Sequence, residues 1–80
     1  MKIKRHGDNV VELICPHWNI LFSYETPVAA WVEGEGYIRT EVHYSRTTSR
    51  HINQWLSGLR AAQVITCPQE RINLLCGIRS

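Results

Sequence analysis

Eighty residues leave room for one small domain, residues 1–80, with one thin core and no deep cleft carrying its own supporting shell. A hydrophobic fraction of 44% with 20% charged residues excludes disorder along the whole chain. The formal net charge of +2 is too small for a protein that depends on neutralising many phosphates.

In chain order, the basic amino terminus (Lys2, Lys4, Arg5, His6) runs into Gly7-Asp8-Asn9, where a signal peptide would need its apolar stretch. No apolar run approaches the roughly 18 residues of a membrane span, so a cytoplasmic protein is expected. Weak alternation predicts a strand over Val10 to Cys15, ended by Pro16. A second strand is expected over Trp18 to Tyr24, with Ile20, Phe22 and Tyr24 on one face. Glu25-Thr26-Pro27 breaks it, and a third runs from Val28 to Glu33. Tyr37 to Tyr44, rich in β-branched and aromatic residues, is the fourth. Matching apolar faces across a three-residue loop, Gly34-Glu35-Gly36, pairs Val32 with Ile38 and sets Trp31 opposite Arg39.

The period then changes. Ile52, Trp55, Leu56 and Leu59 form the stripe of a helix capped by Thr47 or Thr48 and stopped by Gly58, with Trp55 as the expected keystone of the core. Gln63 to Thr66 reads as a short fifth strand, and a second helix opens at Cys67-Pro68-Gln69-Glu70 and ends at Gly77. The expected fold is α+β: a small antiparallel meander of about four strands, with a short fifth, and two helices packed on one face.

Chemistry is sparse. Cys15, Cys67 and Cys76 are odd in number and lack chelating spacing, so free thiols with no metal are expected. Nucleophile elbows, phosphate loops and paired carboxylates do not occur, so neither a catalytic residue nor a cofactor is assigned. Two surfaces stand out. If both helices cover one sheet face, Trp31, Tyr37, Arg39 and His43 lie on the open one, and these include residue types enriched at binding hot spots. Arg46, Thr47, Thr48, Ser49 and Arg50 gather where the first helix begins, suited to an anion or acidic partner, although hydroxyls there also serve as caps. Charge is uneven as well. Four basic and six acidic residues precede Val42, whereas five arginines and only Glu70 follow from it.

Two stretches, FSYETPVAAW and YSRTTSRHINQWL, resemble a group of short proteins encoded by bacteriophages, prophages and related mobile elements. That group shares SYxTPVA followed by YSxTTSxHIxxWL, and the match here runs from Phe22 to Leu56, 35 of 80 residues. The resemblance implies a phage-type accessory protein in a bacterial cytoplasm. By analogy with small non-enzymatic phage proteins, it implies one that binds and inhibits a host defence complex, with a CRISPR effector as the leading target (an anti-CRISPR protein). The alternative is a small nucleic-acid-binding regulator using the basic amino terminus with Arg46, Arg50 and Arg60. No helix-turn-helix or RNA-binding signature supports it.

Overall fold

The computed structural model describes residues 2–57 and 63–77. It shows six strands, β1 (Lys2–Gly7), β2 (Val10–Ile14), β3 (Trp18–Ser23), β4 (Thr26–Val32), β5 (Gly36–Thr40) and β6 (Val64–Cys67), with helices α1 (Arg46–Trp55) before β6 and α2 (Gln69–Leu75) after it. The strands lie side by side in sequence order. The first four pairings are antiparallel and β5–β6 is parallel, as a helical crossover requires. The protein is thus a small α+β domain with a mostly antiparallel sheet. No described helix is long and apolar enough to cross a membrane.

The helices do not share a face. Leu21 and Ala29 pack with Ile52 and Leu56 of α1, whereas their neighbours Ile20 and Ala30 pack with Ile38 and with Ile72 of α2. Consecutive strand residues point to opposite sides, so α1 and α2 cover opposite faces. This corrects the one-face expectation, and the reason is visible in β3 and β4. Ile20-Leu21-Phe22 and Val28-Ala29-Ala30-Trp31-Val32 are continuous apolar runs, the pattern of strands covered on both sides.

Three local readings also change. β1 is an additional strand: it is exposed throughout, polar on both sides, and so gives no alternation to detect. Pro27 does not end pairing but sits buried within β4 at a bulge, where a missing N–H costs no ladder bond. The β4–β5 register is two residues tighter than face matching suggests. Val32 pairs with Gly36, Trp31 with Tyr37 and Ala29 with Arg39, and the loop is Glu33-Gly34-Glu35. The Glu35 N–H donates to the Val32 carbonyl at 3.0 Å, and Gly34 (φ 83°) and Gly36 (φ 95°) both take left-handed backbone. A shift of two keeps every side chain on its expected face, so patterning alone could not detect it. β5 stops at Thr40, whose Oγ1 accepts the Val42 N–H at 3.1 Å and turns the chain towards α1.

α2 is seated by Gln69, whose Nε2 donates to the Pro27 carbonyl at 2.6 Å, and by an ion pair between Arg71 and Glu35. It ends at Cys76, followed by a left-handed Gly77 (φ 77°). Gly58, Leu59 and Arg60, to which the sequence assigned a helix stop, a stripe position and a basic contact, lie outside the described residues.

Ile52, 2% exposed, anchors α1 in the core. Trp55 is half-buried at its margin, its ring edge-on to Tyr37 with centroids 5.6 Å apart. Ile52→Ala should therefore cost about 2–4 kcal/mol by urea denaturation, more than Trp55→Ala, because a fully enclosed cavity is harder to collapse than a gap open to water. The opposite order would show that Trp55 carries the helix.

Candidate interaction site at the start of the first helix

Ser45, not Thr47 or Thr48, caps α1. Its Oγ accepts the Thr48 backbone N–H at 3.1 Å and donates to Thr48 Oγ1 at 3.2 Å. Thr48 is then free to point inward, where it is buried and meets Ser23 Oγ of β3 at 3.1 Å. Ser23 Oγ also lies 2.8 Å from Nδ1 of His51, one helical turn further on. Ser45 donates to Thr48 Oγ1, and the two remaining contacts accommodate either direction. Run in the same sense, Thr48 donates to Ser23 and Ser23 to His51 Nδ1, so that every hydroxyl donates and a neutral His51 carries its hydrogen on Nε2. Unpaired, the buried Ser23 and Thr48 hydroxyls would each cost about 1–3 kcal/mol of desolvation; linked, they tie α1 to the sheet.

Above this chain of hydroxyls sits the β3–β4 turn. Tyr24 (φ 51°) and Glu25 (φ 70°) both occupy left-handed backbone in a two-residue loop that normally selects asparagine and glycine. Each non-glycine residue there costs on the order of 1 kcal/mol. The turn is held by the Tyr24 N–H donating to the Asn9 carbonyl at 3.0 Å, and by the Tyr24 ring lying 5.8 Å from the His51 ring.

Ser23 and His51 have the composition of a hydrolytic pair but not its geometry. Ser23 is only 2% exposed, so its oxygen cannot reach a substrate. No carboxylate among the described residues hydrogen-bonds the second nitrogen of His51 to orient it as a base. The contact is structural.

The residues singled out in the sequence divide into two groups. Trp31, Tyr37 and Arg39 do share a face and are half-buried, but it is the face that α1 covers in part. Tyr37 packs on Trp55, and Arg39 donates to Asn53 Oδ1 at 3.3 Å. Trp31 and Arg39 are diagonal rather than opposite, because of the tighter register. His43 lies beyond the end of β5, exposed, with its Nδ1 3.3 Å from Ser49 Oγ. The second group stays together: Arg46, Thr47 and Arg50 are exposed, Ser49 is half-buried and Thr48 is buried beneath them. Tyr24 (50% exposed) and Tyr44 (45%) flank this group. Ser23 and Tyr24 are not among the candidate site residues read from the sequence, and Tyr44 and His51 bound the stretch singled out at the helix start. The signal was there in Ser45, Thr48, His51 and Ile52, which continue the helical stripe at three- and four-residue spacing into polar residues.

The three cysteines are free. Burial raises the Cys67 thiol above its ordinary value and pushes Cys76 up to about 11. Both therefore stay protonated, and weakly reactive, near neutral pH. No group of three His, Cys, Asp or Glu among the described residues is placed to hold a metal ion.

Thr48→Val leaves Ser23 and Ser45 short of a partner at constant volume and should cost about 1–3 kcal/mol by urea denaturation. Adding Ser23→Ala should cost less than the sum of the single changes, with a coupling of about 1 kcal/mol. Strict additivity would show that the two hydroxyls do not interact.

No curated protein and no solved structure matches this sequence. A family of unknown function (DUF8033) matches residues 1–73, nearly the whole chain including every strand and the hydroxyl chain beneath α1, and the protein belongs to that family.

Proposed function

We propose that this protein is a non-enzymatic binding protein and that its partner docks on the surface formed by the start of α1 and the Tyr24–Glu25 turn. The observation that carries this reading is Tyr24 itself. An aromatic residue is held half-exposed in left-handed backbone that glycine would occupy without cost. Such strain persists where the surrounding structure enforces it and is concentrated at ligand clamps and switch regions.

Its neighbours support the same reading. The first turn of α1 has no acidic residue, and Arg46 places positive charge at the positive end of the helix dipole, with Arg50 one turn further on. The unfavourable placement of Arg46 is relieved by an acidic partner, which Arg50 also attracts. Tyrosine and arginine are the residue types that dominate binding hot spots. This surface replaces the Trp31–Arg39 face as the proposed contact, because α1 already occupies much of the latter.

The resemblance to phage-encoded proteins supplies the biological setting of the proposal: a host defence complex in a bacterial cytoplasm, with a CRISPR effector as the first target to test. The two resembling stretches are those that meet at the Ser23–Thr48 contact. A nucleic-acid-binding regulator remains the competing outcome, resting on the basic amino terminus with Arg46, Arg50 and Arg60.

Tyr24→Gly separates binding from folding. It removes the ring and relieves the backbone, so the melting temperature should hold or rise. Inhibition of DNA cleavage by a purified CRISPR effector should fall about tenfold or more, as for a hot-spot tyrosine. The double change Arg46→Glu with Arg50→Glu should act in the same direction. If no effector type is inhibited, and arbitrary duplex DNA is instead bound with affinity falling steeply between about 50 and 200 mM salt, the regulator reading replaces this one.

A further inference from the structure

Between β1, β2 and α1 lies a cavity of about 250 Å³ lined by His6, Val10, His51, Gln54 and Trp55. Its two histidines come from different elements, His6 from β1 and His51 from α1, and are prepared alike. His6 Nε2 is 2.7 Å from Glu12 Oε1, and the other carboxylate oxygen, Oε2, accepts from Asn19 Nδ2 at 3.0 Å. Glu12 is 7% exposed, a costly place for a carboxylate unless both oxygens are satisfied. His51 is held through Nδ1 by Ser23, itself 2% exposed. Each imidazole is thus gripped by a buried polar residue, and each keeps its second nitrogen, His6 Nδ1 and His51 Nε2, without a hydrogen bond among the described residues.

This is the arrangement of a preorganised site: ring orientation is fixed from behind, and the remaining nitrogens are left for a ligand. We propose that the cavity binds a carboxylate group, held by the His51 Nε2–H, the Gln54 amide and His6. With the hydroxyl chain run from Ser45 to His51, the His51 hydrogen lies on Nε2 and that nitrogen is a donor. Glu12 accepts the Nε2–H of His6, and once His6 is protonated its Nδ1–H becomes a second donor. Two donors match the two oxygens of a carboxylate. A divalent metal fits less well, since no third His, Cys, Asp or Glu among the described residues completes a shell with these two. A doubly charged phosphate is opposed by the Glu12 carboxylate behind His6.

The groups that face His6 fix the sign of the pH dependence. They are Glu12 from β2, Lys4 from its own strand (opposite Glu12 by register) and His51 from α1; β3 contributes only the neutral Asn19. Neutral His6 offers a lone pair at Nδ1 and repels the ligand, whereas protonated His6 donates. Affinity should therefore be greater when His6 is protonated than when it is neutral, and so greater at low pH than at high pH.

The carboxylate can come from a free small acid or from an acidic side chain of a protein, and in the second case the site extends the docking surface proposed above through their shared His51. Titration of the isotope-labelled protein, with no partner present, tests the site whether or not that reading holds. Sodium acetate and a blocked Ala-Glu-Ala tripeptide serve as probes at about pH 6 and about pH 8, with sodium chloride as control. Saturable shifts confined to the His6, His51 and Gln54 side chains and the Trp55 indole, at least tenfold weaker at the higher pH and at least tenfold weaker in His6→Gln, are expected. His6→Gln keeps a donor towards Glu12 but has no second ring nitrogen. Tighter binding of the tripeptide identifies a protein side chain as the source, and equal or tighter binding of acetate identifies a free acid. Absence of saturation up to about 100 mM, a millimolar-or-weaker regime in which no specific site operates, or identical shifts with chloride or in His6→Gln, would overturn the proposal.

Discussion

The hydrogen bond between Ser23 and Thr48 is the joint on which the rest of the molecule depends. α1 is only ten residues long, a length that does not hold together alone in water. It buries few side chains, chiefly Thr48 and Ile52. Ile52, with Leu56 and Trp55 at the far end, gives it hydrophobic attachment, but apolar contacts are not directional and set its register only loosely. The hydroxyl contact fixes its register on β3 because it is directional and buried, so any slip leaves polar groups unsatisfied. That bond links the Ser45–Thr48 cap of the helix to the Ser23–His51 contact on which the Tyr24 ring lies.

The two helices also divide the work between them. α2 packs on Ile20, Ala30 and Ile38 in a purely apolar cluster and supplies bulk stability. On the opposite face the contacts of α1 are mixed: Leu21 and Ala29 at one level, then Ser23, His51, Glu12 and His6 around them. Buried polar groups contribute less to stability than apolar packing of the same volume, but they specify geometry. The chemistry proposed above, an aromatic and basic docking surface with a two-histidine cavity beside it, lies entirely on this costlier side. Strain at Tyr24 and Glu25 belongs to the same side, and the apolar α2 layer is what makes it tolerable.

Much of this was legible in the sequence. The places of β2, β3, β6 and α2 followed, to within a residue or two at each end, from alternation, proline and glycine. The shared face of Trp31, Tyr37 and Arg39 followed from strand parity. What escaped detection had physical causes. β1 carries lysines and an arginine on an exposed edge, where no burial imposes a pattern. The continuous apolar runs of β3 and β4 signalled two covered faces, but the one-face reading followed alternation instead. Placing both helices on one face then made the Trp31 side look open. The Ser23–His51 contact joins residues 28 apart in sequence through hydroxyl geometry, which composition and period do not encode. The start of α1 was correctly marked as polar and basic, and only its partition into buried Thr48 and exposed arginines needed the fold.

The most direct test of the joint is the nitrogen spectrum of the His51 imidazole in the folded protein. With Ser23 donating to Nδ1, neutral His51 must hold its hydrogen on Nε2. At a pH where the spectrum shows His51 to be neutral, one dominant Nε2–H tautomer is expected, and it is lost in Ser23→Ala. A dominant Nδ1–H tautomer, or rapid exchange between the two as in a free imidazole, would show that the hydroxyl chain does not run from Ser45 to His51 and would remove the basis for both the ordered turn and the donor in the cavity.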